Sequence, residues 1–292
     1  MSYVILDLEW NSAYSRQEHR FVNEIIEFGA VKVDDSFCEA GCFEELIAPK
    51  IGKKLSGKVK QLTHLTLEDL ADGGDFLSVA KAFGEFAGDS VVMTWGTSDI
   101  HALIDNFLFY TKKRNIPFLT AYCDLQEYCE KAIGEYDEGN QIGLGSFAEK
   151  IGVSFSEEEQ HRAAADAVLS LKCLRKVMDG YPLDGCVLKA DCEEFYDRML
   201  FRNHFVTDLS SPDIDREQMK FHCDVCGARA RRLKKWKLRN KSFCADFYCK
   251  SCDRTFTGRI SFKKRYDGIK INKRQAVREQ QPEREENKEK KQ

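Results

Sequence analysis

Two carboxylates, Asp7 and Glu9, close the apolar run Tyr3-Val4-Ile5-Leu6 near the start of the chain. Such a run reads as a buried strand. Side chains on a strand alternate with period two, so Asp7 and Glu9 project from one face while Leu8 turns to the other. Like charges at the end of a buried strand repel, and their desolvation is costly unless a cation lies between them. A divalent metal is the natural candidate. Taken alone, the pair reads more simply as a solvent-facing strand end, so the decision rests with residues much further along.

Residues 11–23 are polar and read as a loop. The β-branched and apolar stretch 24–34 and the stretch 42–48 read as two more strands, joined to the first in an antiparallel meander. Phe76, Ala80, Phe83 and Ala87 recur at helical spacing. Residues 91–96 form the next strand, and Thr97 or Ser98 can cap the helix after it, whose apolar face includes Ile100, Leu103, Ile104 and Phe107. Asp99 then falls where a strand gives way to a helix, the end of an open α/β sheet at which ligand groups gather. Residues 118–123 read as a further strand, with a helix from Asp124 and a short one within 145–152. A last helix carries Ala167, Leu171, Leu174 and Met178. The expectation is an α/β fold, a mixed five-stranded sheet with helices on its faces.

His161 and Asp166 stand where that last helix begins. Five residues make about 500° of helix rotation, so they do not share a helix face. His161 belongs in the turn leading in, and Asp166 on the first turns, directed at the sheet. Alone, His161 is more often an ordinary loop histidine.

Asp7-x-Glu9, Asp99 after a later strand, and His161-x4-Asp166 together resemble the DEDDh 3′-to-5′ exonucleases of the ribonuclease H-like fold. Residues 25–31 resemble that family's second strand. Leu62-Thr63-His64-Leu65-Thr66 resembles its Thr-Gly-Ile-Thr-type segment, with His64 in place of the usual glycine. The resemblance covers roughly residues 1–180, and the ERI/KapD-like branch is the nearest match. It implies release of nucleoside monophosphates from a nucleic-acid 3′ end. Two Mg²⁺ or Mn²⁺ ions would be held by Asp7, Glu9, Asp99 and Asp166, with Asp7 between the ions, Glu9 and Asp166 on the nucleophile side, and Asp99 on the other through water. Hard cations of this kind favour carboxylate oxygen. His161 would be the general base; the sister subfamily has Tyr where this chain has Arg162. Trp10 and Leu65 would either contact the terminal nucleotide or simply pack.

Downstream the character of the chain changes. Residues 217–274 contain 18 Lys and Arg against 5 Asp and Glu, which with an overall net charge of −3 and a neutral tail leaves −16 on residues 1–216. An acidic body with a basic appendage points to a polyanionic partner. Cys223-x-x-Cys226 and Cys249-x-x-Cys252 are 22 residues apart, a spacing that suits a structural Zn²⁺ ribbon; Cys244 fits no ligand pair. Of the 12 cysteines only these four are patterned, which fits a reducing interior better than a disulfide framework. Between the pairs, Arg231, Arg232, Lys234 and Lys235 with Trp236 can grip phosphates and stack a base, or form a merely solvated hairpin.

The expected division is an exonuclease domain at 1–182, a helical extension and linker at 183–219, a basic zinc ribbon at 220–272, and a disordered charged tail at 273–292. No run is long and apolar enough for a membrane helix and no secretory signal is visible, so the expectation is a cytoplasmic protein acting on single-stranded 3′ ends, RNA favoured over DNA. The competing readings are a non-catalytic nucleic-acid-binding protein on the same scaffold and a scaffold whose basic ribbon meets an acidic protein.

Overall fold

β1 (Tyr3–Ser15) and β2 (Arg20–Val33) form one long antiparallel hairpin, paired from Tyr3 opposite Val33 to Ser15 opposite Arg20. Residues 11–23 are therefore strand rather than loop, apart from the turn at 16–19. Their polarity is that of a strand with one dry face: Asn11, Ala13 and Ser15 are buried while Ser12 and Tyr14 are exposed. Buried Asn11 is satisfied, donating to the Lys54 carbonyl at 3.1 Å and accepting from the Ser56 amide at 3.0 Å. Buried Glu24 likewise accepts from the amides of Lys50, Ile51 and Gly52 at 2.6–2.8 Å.

This computed structural model describes residues 2–137, 139–156 and 162–277, and the chain divides after Leu200 into two compact units. The first sheet runs in the order β3-β2-β1-β4-β5-β6. β3 (Glu39–Leu46) completes the meander, and β4 (Val91–Thr94) and β5 (Ala121–Asp124) add in parallel. These are the five expected strands. A sixth, β6 (Val187–Lys189), pairs antiparallel with β5 at the edge.

Eight helices accompany the described sheet: α1 (Gly57–Thr63), α2 (Leu67–Ala71), α3 (Phe76–Ala87), α4 (Ser98–Thr111), α5 (Leu125–Ala132), α6 (Leu144–Lys150), α7 (Ala163–Val177) and α8 (Glu193–Leu200). Period two divides β1 between two cores. Val4, Leu6 and Leu8 pack with Phe76, Phe83, Ile100 and Leu103 on one face; Tyr3 and Ile5 pack with Leu125, Phe147, Leu171 and Leu174 on the other. Asp7 and Glu9 continue the second row, so the strand's own alternation aims them at the face that α7 covers. Burying each such aliphatic side chain contributes roughly 1.5–3 kcal/mol. None of the described helices is long and apolar enough to cross a membrane.

The second unit is a six-stranded sheet of β7 (His204–Phe205), β8 (Arg231–Arg232), β9 (Lys237–Arg239), β10 (Ser242–Cys249), β11 (Arg254–Arg265) and β12 (Gly268–Val277). It has an apolar core of its own, including Phe221, Phe243, Phe247, Phe256, Ile260 and Phe262. The division of the chain differs from the expected one for the same reason. Residues 183–200 join the first unit through β6 and α8, while Val206, Ile214 and Met219 are buried in the second core and β7 pairs with β11. Residues 201–219 are thus part of the ribbon unit, and β12 extends it past 272. The tail beyond 277 lies outside the described residues.

Candidate active site

α7 must approach the sheet closely if Asp166 is to reach Asp7, and Gly29 permits it. Gly29 pairs directly with Asp7 across the hairpin. A Cβ at Gly29 would lie 2.0 Å from the carbonyl carbon of Ala163 and 2.0 Å from the amide nitrogen of Ala164, so the first turn of α7 occupies the place of a side chain. The result is convergence: carboxylate oxygens of Asp7, Glu9 and Asp166 lie within 4.8 Å of one another.

Asp99 stands one step back, in the first turn of α4 and 4% exposed. Its Oδ1 accepts the Leu8 amide at 3.0 Å, which fixes it between the two acids of β1. Thr97, the N-cap residue of α4, makes no side-chain cap.

Burial, reinforced by Asp99, Asp166, Glu9 and Glu27, pushes the Asp7 carboxyl well above its ordinary range. Burial and the neighbouring acids push Glu9 up to about 8, and burial pushes Asp99 to about 7. A cation beside carboxyls so raised would favour their ionised form. The donor set, clustered carboxylate oxygens with no thiol or imidazole among the described members, fits a hard divalent cation.

Glu27 and Arg162 are additions that the sequence did not single out. Glu27 lies opposite Glu9 in the hairpin and is fully buried. Arg162, the N-cap residue of α7, donates through Nε to Glu27 Oε1 at 2.9 Å and through Nη2 to Glu44 Oε1 at 2.9 Å. The available signal was a carboxylate inside the apolar stretch 24–34, two residues before Gly29. Asp124, the N-cap residue of α5, accepts from the Glu127 amide at 3.0 Å, and its burial raises it to about 6. His161 lies outside the described residues.

Trp10 is half-buried against the first core, and Leu65 is 6% exposed, packed with Ile26, Leu55 and Leu70. Between α1 and α2, His64 takes φ 58° and ψ 11°, the left-handed conformation for which glycine is the usual residue.

In the second unit, sulfurs of Cys223, Cys226, Cys249 and Cys252 lie within 4.8 Å of one another, and none is in a disulfide. Each Cys-x-x-Cys turn is followed by a left-handed residue, Gly227 at φ 71° and Asp253 at φ 46°. Amides of Cys226 and Val225 lower the Cys223 thiol to about 7. Four thiols so gathered suit a tetrahedral Zn²⁺ site. Cys244 stays outside the cluster, on β10. Arg231 and Arg232 form β8, Lys234 and Lys235 are exposed in the turn after it with Lys234 paired to Asp246, and Trp236 packs on Phe221 and Phe247.

Residues 4–174 match the family described as RNase_T: Exonuclease. The chain is 28% identical over 182 residues to the probable 3′-5′ exonuclease KapD of Bacillus subtilis (strain 168), covering 60% of this chain and 84% of that one. It is 30% identical over 165 residues to DNA polymerase III PolC-type of Staphylococcus aureus (strain bovine RF122 / ET3-1), spanning 56% of this chain but only 10% of the polymerase. The fold is similar to the nuclease domain of 3′hExo, a DEDDh family member, bound to rAMP, with TM-score 0.52, 20% identity, and coverage of 63% of this chain and 93% of that one. It is also similar to a 3′-exonuclease recognising a histone mRNA stem-loop, with TM-score 0.53, 19% identity, and coverage of 63% and 83%.

Proposed function

The chain belongs to the RNase_T exonuclease family, and from that premise we propose a metal-dependent 3′-to-5′ exonuclease that releases nucleoside monophosphates from single-stranded 3′ ends, RNA in preference to DNA. The observation that carries this reading is the meeting of Asp7, Glu9 and Asp166 on one face of the sheet, with Asp99 braced behind Leu8.

Asp7, Glu9 and Asp166, with Asp99 beside them, would hold two Mg²⁺ or Mn²⁺ ions. When bound, such ions neutralise charge developing on phosphorus and on the leaving oxygen, and make water a better nucleophile. The chain's own contribution is position. The β1 ladder and Gly29 set the carboxylates, and Arg162, tied to Glu27 and Glu44, steadies the entry to α7. His161, which precedes that entry in sequence, takes the proton of the attacking water, imidazole being the side chain whose free form titrates nearest neutral pH. Trp10, Leu65 or both border the terminal nucleotide. Zn²⁺ on the four cysteines would hold the ribbon turns, and a cysteine pattern that suits a metal site better than a disulfide framework supports a cytoplasmic setting. RNA is favoured by the ERI/KapD-like resemblance.

The test uses matched 5′-labelled RNA and DNA strands with free or blocked 3′ ends. Stepwise shortening from free ends only, faster on RNA and abolished in Asp7→Ala, is the expected result. His161→Ala should slow turnover about 10²–10⁴-fold while Mn²⁺ binding is kept. Binding without shortening in any metal would replace this reading with the non-catalytic one.

A further inference from the structure

The second unit contains a recess of about 520 Å³ bordered by Arg216, Lys220, Arg229, Arg231, Arg232 and Trp236. Five cations line it, and no carboxylate does among the described residues. Arg216 is engaged with the Leu209 carbonyl and Lys220 with Glu217, whereas Arg229, Arg231 and Arg232 form no ion pair among the described residues. The recess is within the 300–1,000 Å³ range of ordinary ligand pockets.

Its aromatic wall is fixed in advance. Trp236 is half-buried, with its ring centroid 6.1 Å from that of Phe221 and 5.7 Å from that of Phe247. The Arg232 guanidinium lies 5.7 Å from the indole centroid. An indole steadied by packing on two phenyl rings and lying next to the Arg232 guanidinium puts an aromatic surface beside phosphate-binding forks. Only an unpaired base presents its flat face for stacking, so a duplex does not satisfy this arrangement. Five cations also exceed the two charges of one mononucleotide, which favours a strand carrying successive phosphates.

On these grounds, and resting on the reading above that the substrate is nucleic acid, we propose that the recess holds one unpaired nucleotide of the strand, its base on Trp236 and its flanking phosphates on Arg229 and Arg231. The residues that form it all belong to the ribbon unit.

The test measures anisotropy of a 5′-fluorescein 12-residue oligouridylate on the full chain, in an Asp7→Ala background that prevents turnover, across a salt series. Adding Arg229→Ala and Arg231→Ala should weaken binding at least about 10-fold and flatten the log K against log salt slope by about 1.4, two contacts at roughly 0.7 each. Trp236→Ala should weaken it about 10-fold, with Trp236→Phe recovering most of the loss. Retained zinc content keeps the variants interpretable, and because the two arginines are exposed, their result stands even if Trp236→Ala fails to fold. Unchanged affinity and slope in the double arginine variant would overturn the proposal, as would uridine monophosphate displacing the strand at equal concentration. If the parent chain shortens the strand with Mn²⁺ while the arginine variant binds normally, the recess fails and the exonuclease reading stands. If the parent never shortens it while the variant binds weakly, the recess stands and the exonuclease reading fails.

Discussion

At the scale of single residues, the acids of the site are held against their own preference for water. Glu9 is raised from 4.5 to about 8 and Asp99 from 3.8 to about 7, burial being the first cause of both. A carboxyl whose folded pKa exceeds its unfolded value supports folding while protonated and loses that support as pH rises toward the folded value. In a chelator, stability should therefore fall between about pH 4.5 and 8, lowering Tm by at least a few degrees, and Mn²⁺ should reverse the fall. Calorimetry across pH with and without Mn²⁺ checks this; a Tm in chelator that is flat or rises over that interval would show that burial does not hold these carboxyls above their ordinary range. Much at this scale was legible, because Asp7 and Glu9 share a face through strand periodicity alone. Arg162 and Glu27 were not: their partnership spans 135 positions of sequence, and nothing local announces it.

At the scale of elements, the decisive contact is the seating of α7 on the hairpin. Three strands in meander followed by crossovers were readable from apolar periodicity, and the stripe Phe76, Ala80, Phe83, Ala87 is buried as its spacing requires. The role of Gly29 was hidden, since a glycine within a strand declares an absence of side chain without naming what fills the gap. Gly29→Ala should displace the first turn of α7, destabilise the unit by about 1–3 kcal/mol, and depress turnover more than strand binding by moving Asp166. Denaturant unfolding together with single-turnover rates measures both effects; wild-type rates would mean that the helix can retreat without disturbing the carboxylates. The hairpin itself was underread because polar residues beyond Trp10 look like loop until the backbone partners of buried Asn11 and Glu24 are seen.

For the whole molecule, charge and cysteine spacing foretold an acidic body and a basic ribbon, but not that residues 201–219 would complete the ribbon's core. Val206, Ile214 and Met219 are scattered in sequence and become a set only when β7 joins β11. Because that core is substantial, removal of Zn²⁺ should lower the ribbon unit's thermal midpoint by about 10 °C or more without erasing its strand signal, as monitored by circular dichroism with a zinc-release dye. A midpoint insensitive to chelation would remove the ion's structural role. A different kind of dependence lies in the first sheet, where pairing of β4 with β1 ends at Ile5 opposite Met93 and the Leu8 amide finds Asp99 instead. The last rung of that seam is the Asp99 carboxylate, which the proposed reaction also calls on. Architecture and the proposed reactivity thus draw on the same side chain, and a residue without an acceptor there would unfasten the strand end as well as disarm it.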